Sequence, residues 1–502
     1  MDIWELTLAG CQILLKPENM LMLTIGVLVG LVTGSLPGLN TNNVCSILLP
    51  ITLFFSMETA LIFIASIYVS TQYGGSITAI LINTPGTSGA IATTLDGFPL
   101  CRQGKAGYAM GLSLGSSFTG GIIAGIVCLL IMKPIAVYAL KFGTVELFLL
   151  ALLGITIIVA VSEKKPVKGG LAGALGLLIA AMPAEPTFGY PRFTFGFFEL
   201  YDGIPMVPAM CGFFAFPAMI ALVGSTLIMD NNPDNYEVGL KGILKGVWDS
   251  TIKYPVCTLY STVIGIIIGI MPGPGVNVSA LMAYSQAQSW SKDSKNFGNG
   301  APEGVVAPEA ANNATAAGSL VPSIALGIPG SATTAVMLAA LSLQGVNPGP
   351  KVMELYPKEV YSVFVAVLVA TVLMLVFGLF YTAICSKLSK VNMAYIIPAT
   401  FAVCVIGAFV SRGFLFDAFL FIAFGCIGLI MAANGYIYTP LVLGIIMGRI
   451  AETNFVIAMK LSRGDLKIFF STTISWVLWI ILIIVMVIPP ILKKRRATES
   501  VE

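Results

Sequence analysis

Helix-breaking Pro-Gly pairs interrupt the apolar stretches of this chain, and they occur twice in the same order. In the first half, Gly30-x3-Gly34-x2-Pro37-Gly38 precedes Thr84-Pro85-Gly86-Thr87-Ser88. In the second half, Gly265-x3-Gly269-x2-Pro272-Gly273 precedes Ile328-Pro329-Gly330-Ser331-Ala332. The corresponding prolines are offset by 272 − 37 = 235 and 329 − 85 = 244 positions. Paired, interrupted apolar segments in two halves are typical of secondary transporters, so the pattern predicts an internal repeat around a binding site.

The chain is too apolar for a soluble domain. Hydrophobic residues make up 57% of the 502 positions, charged residues make up 10%, and the mean hydropathy is +0.92. Stretches long enough to cross a bilayer number about ten to fourteen. The sequence therefore predicts an all-α polytopic membrane protein with about 12 transmembrane helices, in which Pro-Gly pairs break helices or form re-entrant hairpins.

The repeat suggests a division into two halves. We expect a first half over residues 1–230, a polar connecting segment over 231–254, a second half over 255–490 and a basic cytoplasmic tail over 491–502. The polar run from Gln286 to Pro308 is expected to form a solvent-exposed loop. Inverted halves are the favoured arrangement, although basic residues on successive loops do not determine the number of crossings between them.

Amide side chains surround the first breaker of each half. Since Pro removes a backbone donor and Gly relaxes the backbone, the helix should open there and offer polar ligands. The alternative is an ordinary kinked helix followed by a turn. The residues predicted to bind a cation or line the polar site are Gly38, Asn40, Asn42, Asn43, Gly273, Asn277, Asn312 and Asn313.

Hydroxyl residues follow the second breaker of each half. We expect one helix to end, a Pro-Gly turn to follow, and a new helix to begin at small hydroxyl residues. A helix N-terminus carries unpaired N–H donors and partial positive charge, so it can hold an anion without arginine. The residues predicted to bind the substrate are Thr84, Gly86, Thr87, Ser88, Gly330, Ser331, Thr333 and Thr334.

Two carboxylates lie near these motifs and are candidates for carrying a coupling proton or cation. Asp96 stands in Leu95-Asp96-Gly97-Phe98-Pro99, where the alternative role is to cap a loop. Glu309 stands in Ala307-Pro308-Glu309-Ala310-Ala311, where the alternative is a charge at a helix N-terminus.

Several kinds of chemistry have no sequence support. The chain has no His, no Cys-x2-Cys pair, no Walker lysine loop and no dinucleotide-binding glycine motif. We therefore expect no enzymatic activity, no cofactor, no metal beyond a possible Na⁺, and no nucleic-acid partner. The coupling ion would be Na⁺ or H⁺.

Separated strings in the chain resemble the large membrane subunit, the TctA type, of bacterial tripartite tricarboxylate transporters. They are Tyr73-Gly74-Gly75-Ser76, Asn83-Thr84-Pro85-Gly86-Thr87, Leu95-Asp96-Gly97-Phe98-Pro99-Leu100, Gln103-Gly104-Lys105-Ala106-Gly107, Pro308-Glu309-Ala310-Ala311-Asn312-Asn313-Ala314 and Leu326-Gly327-Ile328-Pro329-Gly330-Ser331. The resemblance implies a multi-pass carrier of the bacterial cytoplasmic (inner) membrane. Its partners would be a small four-helix membrane subunit and a periplasmic solute-binding protein that delivers a carboxylate such as citrate.

The resemblance leaves two matters open. It does not distinguish a tricarboxylate from a dicarboxylate. The alternatives to a gradient-driven carrier are a passive channel, which would be expected to line its pore with charge, and a membrane scaffold that transports nothing.

Overall fold

The chain is helical throughout the part described. A computed structural model describes residues 2–36, 39–161, 166–182, 190–223, 238–388, 393–436 and 438–484, and no strand forms among them. The predicted all-α class is confirmed. Three predictions lie wholly or partly outside these residues: the role of Gly38, the boundary between residues 230 and 231, and the tail at 491–502.

The first half contains ten α-helices in the described residues. They are α1 (Ile3–Leu14), α2 (Pro17–Gly34), α3 (Thr41–Leu48), α4 (Met57–Ile82), α5 (Ile91–Leu100), α6 (Ala106–Ala139), α7 (Thr144–Val161), α8 (Pro166–Ala180), α9 (Met206–Met210) and α10 (Phe216–Leu222). A 3₁₀ turn over Ser88–Ala90 leads directly into α5.

The second half is also built of helices. It contains α11 (Leu240–Ile252), α12 (Pro255–Ile270), α13 (Gly275–Trp290), α14 (Glu303–Leu326), α15 (Ala332–Leu343), α16 (Val352–Leu355), α17 (Pro357–Leu388), α18 (Met393–Arg412), α19 (Leu415–Ala433) and α20 (Thr439–Leu461). A further apolar helix spans Thr473–Ile484.

The predicted helix break is present in both halves. Helix α4 ends at Asn83, which has a left-handed backbone (φ 55°), and α14 ends at Gly327 in the same conformation (φ 71°). Pro85 and Pro329 follow two residues later, as is common after such helix ends. A new helix then begins in each half, so the predicted helix, Pro-Gly turn and second helix are confirmed at both sites.

The Gly-x3-Gly motifs bring neighbouring helices into close contact. A Cβ atom on Gly30 would lie 2.0 Å from the Ser70 hydroxyl, and one on Gly265 would lie 2.5 Å from the Ala311 carbonyl oxygen. These glycines therefore let α2 pack on α4, and α12 pack on α14, at small separation. This small-residue packing is common between membrane helices.

The two halves interlock through their long helices. Helix α6 of the first half packs on α14 and α11 of the second half, and α17 of the second half packs on α4 and α1 of the first half. Each half thus contributes one long helix that packs on two helices of the other half. The inverted relation of the two halves stays a prediction.

Six helices in the described residues are long and apolar enough to cross a membrane. They are Pro17–Gly34, Met57–Leu81, Ser88–Ala139, Pro357–Ala383, Leu415–Ala433 and Pro440–Leu461. The pair α11 and α12, bent by 76°, would make a seventh. Because breakers also leave shorter apolar helices, such as α15, the total of about twelve stays a prediction.

The expected loop from Gln286 to Pro308 is wrong in extent. Helix α13 continues to Trp290 and α14 already begins at Glu303, so only about the middle of the run is a loop. Residues 304–308 are buried. The backbone of the run contacts Asp96, as described below.

Candidate functional site

In the first half, the Pro-Gly turn after α4 packs on the end of α2. The Gly86 N–H donates to the Gly75 carbonyl of α4 at 3.0 Å. A Cβ atom on Gly86 would lie 2.0 Å from the carbonyl oxygen of Gly34, the last residue of α2. Only glycine fits at this position, because the approaching atom belongs to the backbone.

The second half has the same arrangement. The Gly273 N–H donates to the Gly330 carbonyl at 3.2 Å, and the Gly330 N–H donates to the Ser323 hydroxyl at 3.1 Å. Gly273 has φ 99°, a backbone conformation that favours glycine. In both halves, then, a glycine of the Gly-x3-Gly-x2-Pro-Gly motif contacts the Pro-Gly turn of the second breaker.

The N-terminus of α15 is capped by its own half and contacted by the other. Ser331 and Thr334 form a reciprocal capping box, in which the Thr334 N–H donates to the Ser331 hydroxyl at 3.2 Å. The Tyr68 hydroxyl of α4 lies 3.1 Å from the Ser331 hydroxyl and 3.3 Å from that of Ser319. The polar groups of this tip are thus largely satisfied.

A second contact between the halves joins Thr333 to the first breaker. The Thr333 hydroxyl donates to the Asn42 side-chain carbonyl at 2.5 Å. Asn40 caps α3, since its side chain accepts from the Asn43 N–H at 3.1 Å. Asn42 is half-buried and Asn43 is buried.

The tip of the first hairpin differs in that the hydroxyl of Thr87 and a neighbouring amide have no hydrogen-bond partner among the described residues. The hydroxyl of Thr87 and both polar atoms of the Asn312 amide are buried and have no hydrogen-bond partner among the described residues. The Asn312 amide lies against the turn that starts α5, where a Cβ atom on Gly89 would be 2.3 Å from its oxygen. Asn313 donates to the Val69 carbonyl at 3.2 Å.

The remaining predicted residues lie nearer the protein surface. Thr84 is exposed and its N–H donates to the Thr78 carbonyl at 3.3 Å, while Ser88 is half-buried in the 3₁₀ turn. Asn277 is exposed on α13. The structure therefore groups Thr87, Asn312 and Asn42 near the hairpin tips and leaves Asn277 on the surface.

Asp96 is fully buried and binds the loop before α14. One carboxylate oxygen accepts from the backbone N–H groups of Gly298, Gly300 and Ala301 at 2.9, 2.8 and 2.8 Å. The other accepts from the Tyr284 hydroxyl at 2.8 Å. Asp96 thus ties α5 of the first half to the loop that starts α14 of the second.

Glu309 is fully buried where four helices meet. Its Oε1 accepts from the Ser76 hydroxyl of α4 at 2.5 Å and from the Thr93 hydroxyl of α5. Its Oε2 accepts from the Ser117 hydroxyl of α6 at 3.1 Å. In the described part of the chain, no Lys or Arg forms an ion pair with this carboxyl group.

Sequence reasoning missed the partners of these groups. Tyr68, Thr93, Ser117 and Tyr284 are single polar residues within apolar helices and carry no motif. Ser76 stands in the string Tyr73-Gly74-Gly75-Ser76, which is the one available signal.

The arrangement can bind a small polar ligand at the interface between the halves. Unpaired donors beside the N-terminus of α5 suit an anion, and a carboxyl group one helical turn from Asn312 can gain or lose a proton. Among the described residues, no three His, Cys, Asp or Glu side chains come together as a metal site would require.

Comparison with known proteins identifies the family. The tripartite tricarboxylate transporter TctA family matches residues 20–443. An uncharacterized 52.8 kDa protein in the TAR-I ttuC' 3' region of Agrobacterium vitis is 33% identical over 480 residues, covering 95% of this chain and 94% of that protein. An uncharacterized protein in the TAR-II ttuC' 3' region of the same organism is 31% identical over 211 residues, covering 42% of this chain and 87% of that protein.

No solved structure matched the chain. The family match covers both breakers of both halves, and the apolar helices agree with a multi-pass membrane protein. The chain belongs to the tripartite tricarboxylate transporter TctA family, whose members are transporter components.

Proposed function

We propose that this protein imports an organic carboxylate across the bacterial inner membrane as the large permease subunit of a tripartite system. A Na⁺ or proton gradient drives the uptake. The substrate is a tricarboxylate such as citrate or a related dicarboxylate. A periplasmic solute-binding protein delivers it, and a small four-helix membrane subunit completes the membrane complex.

The proposal is supported by polar contacts between the two halves at the hairpin tips. Asn312 of the second half lies against Gly89 of the first, and Tyr68 and Asn42 of the first half contact Ser331 and Thr333 of the second. A ligand held at these tips would touch both halves. Relative movement of the two inverted halves would then expose it to one side of the membrane and then the other.

The first hairpin is the proposed site of the substrate carboxylate. Burying an unpaired hydroxyl or amide costs about 1–3 kcal/mol per group. Thr87 and Asn312 both hold such unpaired groups in the described structure, and a carboxylate that accepts from the Thr87 hydroxyl and the Asn312 N–H group would remove the cost of these two donors. Ser331, Thr333 and Thr334 are already bonded, so they would orient the second tip and contact the substrate after rearrangement.

The test is uptake by proteoliposomes that contain both membrane subunits and receive the binding protein from outside. A panel of labelled dicarboxylates and tricarboxylates should include at least one that enters only when all three components and an ion gradient are present. Absence of gradient-dependent uptake for every acid would refute the proposal. Entry without the gradient would instead support a passive channel.

A further inference from the structure

The two buried carboxylates, Asp96 and Glu309, have different kinds of hydrogen-bond donor. Three of the four donors to Asp96 are backbone N–H groups, and the fourth is the Tyr284 hydroxyl. All three donors to Glu309 are hydroxyls, from Ser76, Thr93 and Ser117. The difference matters because a backbone N–H can only donate, whereas a hydroxyl can rotate and accept.

The hydroxyl cage suits both protonation states of Glu309. As a carboxylate, Glu309 accepts three hydrogen bonds, as the structure describes. As a carboxylic acid it has one O–H to donate, and rotation of one hydroxyl provides the acceptor. Neither state leaves an oxygen of the carboxyl group itself without a hydrogen-bond partner. On Asp96 only the oxygen that faces the Tyr284 hydroxyl could take a proton, because the other oxygen faces three backbone donors that cannot turn away.

We propose that Glu309 is a reversible proton-binding site and that the proton it carries is the coupling ion, whereas Asp96 is a fixed structural carboxylate. On one side of the membrane a hydronium ion transfers its proton to Glu309, leaving water and a neutral carboxyl group. On the other side, water takes the proton back and the carboxylate returns. The coupling step rests on the proposed transport function, but proton binding by Glu309 does not.

The contacts favour a proton over Na⁺. Ser76 and Ser117 bond the carboxylate directly at 2.5 and 3.1 Å, and Thr93 bonds it as well. A metal ion among these oxygens would have to separate hydroxyls that are already in direct contact with the carboxylate. A proton needs no such space. It only changes one carboxyl oxygen from acceptor to donor in a hydrogen bond that already exists.

Several other ionisable groups on the neighbouring helices have partners elsewhere. The following groups do so: Asp96 with Tyr284, Tyr68 with Ser331, Tyr73 with Thr382, Tyr108 with Asp249, and Cys257 with the Glu303 carbonyl. Within the described residues, the three ion pairs are Lys16–Glu58, Arg192–Glu452 and Arg412–Asp417. None of these contacts involves the Glu309 carboxyl group, so the hydrogen bonds from the three hydroxyls are what stabilise its carboxylate form.

The proton site and the proposed substrate site share two helices. On α14, Glu309 and Asn312 are three residues apart, and on α5 and the turn before it, Thr93 and Gly89 are four apart. Both pairs are about one helical turn apart. Glu309 contacts Thr93, and Asn312 lies against Gly89. A ligand that displaces the first hairpin from α14 therefore also withdraws a hydroxyl donor from Glu309, which links substrate binding to the proton.

Infrared difference spectroscopy on the purified protein in lipid nanodiscs tests proton binding without any transport. Lowering the pH should produce the carbonyl band of a buried carboxylic acid in the wild type. The band should be absent in Glu309→Gln and present in Asp293→Asn, a matched change on an exposed loop residue. If the band persists in Glu309→Gln, the assignment of the proton site is wrong.

A second variant keeps the test decisive if Glu309→Gln does not fold. Thr93→Val removes one donor that stabilises the carboxylate, so the same band should appear at higher pH than in the wild type. An unchanged midpoint would contradict the proposal. Thr93→Ser retains the hydroxyl and should restore the wild-type midpoint.

Proteoliposomes test the coupling step separately. Under an imposed pH gradient the wild type should accumulate substrate, and Glu309→Gln should lose this accumulation. Accumulation by Glu309→Gln equal to that of the wild type would overturn the coupling role. If the wild type transports no carboxylate while the infrared band still depends on Glu309, the proposed function fails and the proton site stands.

Discussion

Replacing Asp96 should weaken the connection between α5 and the loop before α14. In Asp96→Ala, the N–H groups of Gly298, Gly300 and Ala301 lose their acceptor, and the last two are in a buried setting. A buried donor left unpaired costs about 1–3 kcal/mol. Two such donors should lower the free energy of unfolding by about 2–6 kcal/mol. We expect the lower part of that range, because a loop can relax so that its N–H groups reach water.

Gly304 provides an independent check on the same contact. A Cβ atom on Gly304 would lie 2.1 Å from the Asp96 carboxylate oxygen, so Gly304→Ala should displace that carboxylate. In the Asp96→Ala background the added methyl group has space. The two substitutions should therefore be strongly non-additive, with a coupling energy of about 1–3 kcal/mol.

Thermal unfolding of the purified single and double variants, at one scan rate, measures these effects. A fixed scan rate is needed because membrane proteins of this size commonly unfold irreversibly. The melting temperature should fall clearly in Asp96→Ala and in Gly304→Ala. The melting temperature of the double variant should be no lower than that of Asp96→Ala alone. Additive losses, or a melting temperature in Asp96→Ala equal to that of the Asp293→Asn control, would refute the reasoning.

Three further changes test the packing and the hairpin tips. Gly111→Ala places a Cβ atom 2.1 Å from the Ile243 carbonyl oxygen and should destabilise the protein by about 1–3 kcal/mol in thermal unfolding. Gly239→Ala, which meets open space, is its control and should have little effect. Thr87→Val should raise the KM for uptake about tenfold, which corresponds to one lost hydrogen bond of about 1.4 kcal/mol, with Thr87→Ser restoring it. An unchanged KM would remove Thr87 from the site. Ser331→Ala should lose about 1 kcal/mol of stability through its cap, and equal melting temperatures for it and the wild type would contradict the capping role.

The sequence predicted the helix breaks because their cause is local. Pro85 and Pro329 lack a backbone N–H, and each follows a residue that ends its helix in a left-handed conformation. Hydroxyl residues after Pro329 likewise predicted the start of α15. These features depend on a few neighbouring residues and need no knowledge of the rest of the fold.

Contacts between distant parts of the chain were beyond prediction. Nothing near Thr93 or Ser117 in sequence indicates that both reach Glu309, since single hydroxyl residues occur throughout apolar helices. The Gly-x3-Gly motifs were interpreted as part of the breakers, whereas their tertiary role is the close packing of α2 on α4 and α12 on α14.

The misplaced loop has the same origin. Local polarity indicated an exposed loop as far as Pro308, but α14 begins at Glu303 and residues 304–308 are buried. The buried Asp96 carboxylate satisfies the backbone of Gly300 and Ala301 just before the helix. That carboxylate is about 200 positions away in the sequence, so no local pattern indicates it.

Accumulation of a labelled carboxylate by proteoliposomes containing the complete tripartite system tests the central claim most directly. With an imposed ion gradient, the internal substrate concentration should rise above the external one and should fall back when an ionophore dissipates the gradient. If the internal concentration only ever equals the external one, with or without the gradient, the protein is a passive pathway and the account of a gradient-driven carrier is contradicted.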